Sequence, residues 1–178
     1  MTEVARPTPY ETDSIRPEDP ASGFRCGKHP PDDFFVRHAL DNDRQGLGKT
    51  YVLRDRDAVL GFYTLSMADV EAEVAGRALK VRLPRYPLPV ALLGRLAVHQ
   101  DAQGKGIGAR LLRDALRRVN DLADQIGCLG VIVDAKDEDA ERFYLRYGFV
   151  IVAAETWPHR MFIALGTIRA AVRFDPLV

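Results

Sequence analysis

Residues 93–108, Leu93-Gly94-Arg95-Leu96-Ala97-Val98-His99-Gln100-Asp101-Ala102-Gln103-Gly104-Lys105-Gly106-Ile107-Gly108, decide how this chain is read. They close a run from Val90 to Val98 that is apolar almost throughout, broken mainly by Arg95, as a central strand covered on both faces would be. They open a segment in which Ile107, Leu111, Leu112, Ala115, Leu116, Val119, Leu122, Ala123 and Ile126 recur at helical spacing, with Gly127 as the stop. Between the two lies a glycine cluster. Glycines before a helix let the main chain come close to a ligand, and the first free amides and the positive end of the helix dipole then point at it. Such a turn suits a diphosphate, and Lys105 adds a cation beside it. A tight strand-to-helix turn with no ligand would use the same glycines.

Working outward, Leu129–Val133 reads as a second buried strand and Asp137–Tyr147 as a short amphipathic helix closed by Gly148. Val150–Ala153 and Met161–Leu165 read as the final strands. On the other side, Thr50–Leu53 and Val59–Met67 are β-rich and flank the charged run Arg54-Asp55-Arg56-Asp57, which predicts a hairpin turning at that run. Pro30 and Pro31 before Asp32 and Asp33 suit the first turn of a helix. Phe34, Phe35, His38 and Ala39 form its apolar stripe, and Gly46 and Gly48 end the segment. Residues 68–80 carry a weak helical pattern. Pro84, Pro87 and Pro89 exclude regular structure between them. The order predicts an α/β (α+β) fold with a mixed sheet. Gly104, Gly106 and Ala109 also fit a dinucleotide fingerprint, with Asp134 ending the next strand. Against that reading, about five polar or small residues separate these glycines from their strand, and no second mononucleotide half follows.

Composition bounds the rest. A chain of 178 residues suits one domain, and 47% apolar residues suffice for a core. The expected division is a flexible extension over 1–21, punctuated by Pro7, Pro9, Pro17 and Pro20, and one domain over 22–178. Lys plus Arg (25) and Asp plus Glu (25) cancel, which excludes attachment to a polyanion by bulk charge and requires a local patch instead. No bilayer-length apolar run or secretory signal is visible, so the expected location is the cytoplasm. Cys26 and Cys128 have no metal-ligand spacing; both read as reduced small apolar residues, and no metal is expected. Arg77, Lys80, Arg82, Arg85 and Arg95 fall between Glu73 and Asp101 with no acidic residue among them. This local excess reads either as a solvated loop or as a phosphate-tracking patch. Ala140, Phe143, Tyr144 and Tyr147 follow the i, i+3, i+4, i+7 spacing of a core stripe, which makes Tyr144 a packing residue on periodicity alone.

Two motifs in order carry a resemblance. Gln103-Gly104-Lys105-Gly106-Ile107-Gly108 after the strand LGRLAV, followed by Ala140-Glu141-Arg142-Phe143-Tyr144-Leu145-Arg146-Tyr147-Gly148-Phe149, resembles the GNAT acetyltransferases. The resemblance implies a mixed, splayed central sheet flanked by helices, and acetyl-CoA as cofactor. It implies that Leu96, Ala97 and Val98 face the pantetheine arm. Gln103, Gly104, Lys105, Gly106, Ile107 and Gly108 would then wrap the pyrophosphate, Phe143 would lie near the thioester, and Tyr144 would be the general acid. The chemistry suits a tyrosine: a phenol of pKa about 10 stays protonated near neutrality and can give its proton to a leaving thiol of pKa about 8.5. Glu71, Glu73 and Asp69 are possible bases acting through water, with nothing to select one. An α-amine of pKa about 8 needs no dedicated base, which favours such an acceptor.

A narrower resemblance rests on Phe24–Gly27, Asp33-Phe34, His38-Ala39-Leu40-Asp41-Asn42, Gly46-Leu47 and Thr50-Tyr51-Val52-Leu53. With Leu93–Val98, Asp124-Gln125-Ile126-Gly127 and Arg160-Met161-Phe162, these are similar to the acetyltransferase toxins of bacterial toxin–antitoxin modules. That group acetylates the amino group of aminoacyl-tRNA and blocks translation. The resemblance implies a homodimer, a ribbon-helix-helix antitoxin as partner, and Arg77, Lys80, Arg82, Arg85 and Arg95 as tRNA phosphate contacts. A GNAT enzyme acting on a small-molecule amine or a protein N-terminus, and a non-catalytic cofactor sensor, are the competing expectations.

Overall fold

Alternating and continuous apolar runs, punctuated by proline and glycine, set most of the elements seen in the computed structural model, which describes residues 10–174. In chain order these are β1 (Glu11–Ser14), α1 (His29–Arg37), α2 (Ala39–Arg44), β2 (Lys49–Asp55), β3 (Ala58–Val70), α3 (Ala72–Leu79), β4 (Leu88–Val98), α4 (Ile107–Leu122), β5 (Gly130–Ala135), α5 (Glu138–Arg146), β6 (Val150–Ala153), β7 (His159–Ala164) and α6 (Leu165–Phe174). Short 3-10 turns occupy Asp19–Ala21 and Gln100–Ala102. The strands hydrogen-bond in the order β1-β2-β3-β4-β5-β7-β6. β4 and β5 run parallel, with Ala91 opposite Val131; β1 with β2, β5 with β7, and β6 with β7 run antiparallel. This is the mixed α/β sheet expected.

The chain divides into two compact units, the first up to Thr64 together with Arg95–Leu111, the second comprising Leu65–Gly94 and residues from Leu112 onward. In the first, Phe24, Phe35 and Phe62 pack ring on ring, with centroids 4.7 to 5.4 Å apart, over Val52, Val59 and Ala97. In the second, Val70, Ala75, Leu88, Val90, Ile132 and Phe162 make the core. At Gly130, an added Cβ would lie 2.1 Å from the Ile163 carbonyl oxygen, so only glycine admits the close β5–β7 pairing there.

Four expectations are corrected. Residues 11–21 are not a loose extension: β1 pairs with β2, Thr12 opposite Leu53, and Asp19 is buried. Residues 1–9 of the expected extension lie outside the described residues. Arg54 is not in the turn. It shares a face of β2 with Val52, is 2% exposed, and is held by Asp19, through Nε at 2.9 Å and through Nη2, while Nη2 also donates to the Ser14 carbonyl. The partner that lets this charge be buried comes from 35 residues away, where no local pattern points to it. The turn itself is Arg56-Asp57, with Arg56 at φ 57°. α4 ends at Leu122, and Ile126 is exposed rather than part of the helical stripe. Finally, Leu165 ends no strand. Its amide bonds to the Leu129 carbonyl at 3.0 Å, and the chain turns there into α6, which buries Ile168.

Candidate active site

The loop between β4 and α4 is braced by its own side chains. His99 Nδ1 accepts from the Asp101 amide at 3.2 Å, capping the 3-10 turn. Gln103 Nε2 donates to the Val98 carbonyl at 3.1 Å and to the Cys26 carbonyl at 2.9 Å. The Gln103 amide group therefore ties the loop to the chain before α1, leaving its main chain to face a ligand. Lys105 Nζ folds back to the Asp101 carbonyl at 2.9 Å. Gly104 (φ +74°) and Gly106 (φ +79°) adopt the left-handed backbone that only glycine takes readily, and a Cβ at either would meet nothing within 4 Å. The loop thus presents bare main chain to open space. The first helical bond runs from the Arg110 amide to the Gly106 carbonyl, so the amides of Ile107, Gly108 and Ala109 have no partner inside α4. Main-chain donors without Cβ cover, at the positive end of a helix, fit a diphosphate.

Sequence reading missed the residue beneath this loop. A Cβ on Gly61 of β3 would lie 2.7 Å from Leu111 Cδ1 and 2.8 Å from the Ala97 carbonyl oxygen. The bare main chain of β3 therefore seats both the end of β4 and the first turn of α4. A glycine inside a β-rich run is the signal that could have found it. Leu96, Ala97 and Val98 are the last three residues of β4, with Ala97 buried. Arg95, just before them, lays its guanidinium 3.7 Å from the centroid of the Phe34 ring, and burial lowers its pKa from the ordinary arginine value.

In the second unit, α5 carries the second motif. Asp137 caps it, its carboxylate accepting from the Ala140 amide at 2.9 Å, and Glu138, Asp139 and Glu141 complement the dipole of the first turn. Tyr144 is buried, its ring 5.2 Å from that of Phe143 and 5.3 Å from that of Phe149. Burial raises its phenol pKa above the ordinary value, because ionisation would put a charge where water is scarce. Tyr144 is thus both the packing residue that periodicity predicts and a phenol kept in its proton-bearing form. Beside it, Glu141 Oε2 lies 2.5 Å from His159 Nδ1, and the His159 ring stacks on Trp157. That cluster was not foreseen either; Glu141 lies 18 residues before His159.

The basic excess is brought together only in part. Arg77, Lys80, Arg82 and Arg85 line one cleft of about 650 Å³, formed by α3 and the proline-bearing loop after it. Arg95 is not among its lining residues. Glu71 and Glu73 do line it, so two of the three carboxylates considered as bases sit among the cations. Lys80 ends α3 in the left-handed conformation (φ 56°), which turns the chain so that Arg82 and Arg85 return toward Arg77. No helix among the described residues is long and apolar enough to cross a membrane.

A model of the GNAT acetyltransferase domain matches residues 44–151. A tRNA-acetylating toxin of Mycobacterium tuberculosis (strain ATCC 25618 / H37Rv) is 35% identical over 159 residues, covering 89% of this chain and 93% of the toxin. A structure of the toxin AtaT complexed with acetyl-methionyl-tRNAfMet is similar with a TM-score of 0.80 and 26% identity, covering 91% of this chain and 98% of AtaT. A tyrosine-to-phenylalanine mutant of AtaT bound to acetyl-CoA and to the C-terminus of the antitoxin AtaR is similar with a TM-score of 0.77 and 28% identity, covering 92% of this chain and 98% of that one.

Proposed function

This chain belongs to the GNAT acetyltransferase family, and we propose that it transfers the acetyl group of acetyl-CoA to the α-amino group of aminoacyl-tRNA, acting as the toxin of a toxin–antitoxin pair. The observation that carries the choice of acceptor is the cleft in which Arg77, Lys80, Arg82 and Arg85 converge, in a chain of zero formal net charge. Such a local patch suits a phosphate backbone. The likeness to a tRNA-acetylating toxin over nearly the whole chain supports the same acceptor.

When bound, acetyl-CoA supplies a thioester whose carbonyl carbon an amine can attack. Gln103, Gly104, Lys105, Gly106, Ile107 and Gly108 would hold its diphosphate through main-chain amides, with the Lys105 ammonium, which donates to the Asp101 carbonyl, supplying a cation beside it. Leu96, Ala97 and Val98 would offer main-chain groups to the pantetheine arm, and Phe143 would serve the acetyl end. Tyr144 gives its phenol proton to the departing sulfur, a role its protonated state serves at any physiological pH. No dedicated base is required, since an α-amine of pKa about 8 is neutral in useful fraction near pH ~7.5.

The chain works in the cytoplasm as a homodimer, and its antitoxin is a small ribbon-helix-helix protein. These finer assignments rest on the resemblance to the toxin group. Mass spectrometry of charged tRNA incubated with acetyl-CoA and the protein tests the reading. Acetylated aminoacyl-tRNA is expected with the wild type and not with Tyr144→Phe, together with growth arrest that the same substitution relieves. An active enzyme that acetylates only free amines or protein N-termini would give the acceptor to the alternative class.

A further inference from the structure

Trp157 is the only tryptophan of the chain, and it is 45% exposed. Its ring lies on that of His159, with centroids 3.5 Å apart and planes 7° from parallel. His159 is held in turn by the Glu141 carboxylate at 2.5 Å, both side chains being mostly buried. One face of the indole is thus backed by an imidazole locked in place, and the exposed remainder is left to solvent. We propose that Trp157 is a stacking platform for an unpaired base at the 3′ end of the acceptor tRNA, an inference that rests on the acceptor reading above.

Three features favour a nucleobase there. First, position: His159 pairs with Ala135, the last residue of β5, so the platform stands at the carboxyl end of a strand that runs parallel to its neighbour β4. That edge is where open α/β sheets bind ligands. Second, adjacency: Glu141 lies three residues from Tyr144 on α5, which makes the two neighbours on the helix surface. The support of the platform and the proton donor therefore share one rigid element. Third, charge: the arginine next to the platform, Arg160, is already engaged by Asp134 through two bonds, at 2.8 and 3.0 Å. The local attraction is therefore to a π face rather than to phosphate, in contrast with the cleft at α3. Every base has such a face, and single-stranded ends are bound by stacking on aromatic side chains. A ring already stacked and anchored loses little freedom when a base adds to it.

The single tryptophan makes the test direct, because all indole fluorescence of the protein comes from the platform. Titration with deacylated tRNA, or with the trinucleotide CCA, is expected to quench and shift that emission; titration with CoA is not. Trp157→Ala is expected to lower kcat/KM for aminoacyl-tRNA by about 5- to 150-fold, the range seen for loss of one base–aromatic stack, with Trp157→Phe keeping most of the activity. CoA affinity and thermal midpoint should stay as in the wild type. Unchanged fluorescence at tRNA concentrations that saturate acetylation would overturn the proposal, and so would full activity of Trp157→Ala on aminoacyl-tRNA. Quenching by CoA with weakened CoA affinity in Trp157→Ala would overturn it too, giving the platform to the cofactor's purine instead. A wild-type enzyme that acetylates no aminoacyl-tRNA would sink the acceptor reading itself, a result separate from full tRNA activity in the variant.

Discussion

Adding one methyl group at Gly106 or at Gly61 separates ligand binding from folding. At Gly106 the backbone sits at φ +79°, and an added Cβ meets nothing within 4 Å. Gly106→Ala therefore carries only the strain of a left-handed L residue, about 1–2 kcal/mol of stability. Its methyl group enters the open side of the loop, where a diphosphate must approach the main chain. Losing one hydrogen bond to a charged group costs about 1.5–3 kcal/mol, which weakens CoA by roughly 10- to 150-fold. At Gly61 the added Cβ lies 2.8 Å from the Ala97 carbonyl, a main-chain atom that cannot step aside, and 2.7 Å from Leu111 Cδ1. Gly61→Ala should thus destabilise by about 1–3 kcal/mol or more through overpacking. Its folded fraction should bind CoA within a few-fold of the wild type. Urea unfolding gives the stabilities and titration calorimetry with CoA the affinities. Gly106→Ala that binds CoA as tightly as the wild type would refute the assignment of this loop to the diphosphate.

The other predictions concern the acid, the buried pair and the cleft. Tyr144→Phe should keep CoA affinity and lose about 10²- to 10⁴-fold in turnover, as expected for removal of a general acid. Because burial raises the folded-state pKa of Tyr144 above its unfolded value near ~10, its contribution to stability is complete below about pH 10 and is lost as pH rises further. Thermal midpoints should therefore fall less steeply above about pH 10 in Tyr144→Phe than in the wild type, and equal slopes would contradict the buried phenol. Asp19→Asn leaves the Arg54 charge uncompensated at 2% exposure and should cost about 3–5 kcal/mol in urea unfolding. A loss under about 1 kcal/mol would return residues 11–21 to the status of a dispensable extension. Reversing Arg77, Lys80, Arg82 and Arg85 one at a time should raise KM for aminoacyl-tRNA. Each reversal should also flatten the salt dependence by about 0.7 to 0.9 of a logarithmic slope unit, as expected when one phosphate is no longer neutralised. Turnover of a small amine should not change with the same substitutions.

Much of this molecule was legible in linear order. The strand ending at Val98, the glycine cluster and the helix from Ile107 follow from apolar runs and turn residues whose partners lie within a few positions. The short helix starting near Asp137 and Tyr144 as a packed phenol follow from the same local rules. Where local pattern and burial conflict, the sequence misleads. Arg54-Asp55-Arg56-Asp57 has the composition of a turn, yet Arg54 extends a strand, because Asp19 folds over to meet it. For Gln103, what its type and spacing could not give is the place of its side chain, which bonds the Val98 and Cys26 carbonyls.

The sequence by itself determined the α/β order, the family motifs, the pool of basic residues and the packed position of Tyr144, since each rests on spacing along one element or on residue type. Only the tertiary structure decided that Gly61 seats the loop, that Arg95 stacks on Phe34 while four other cations share a cleft, and that Trp157, His159 and Glu141 form one unit. The reason is physical: these features depend on side chains meeting from separate elements, and burial and pairing between distant positions leave no period in the chain.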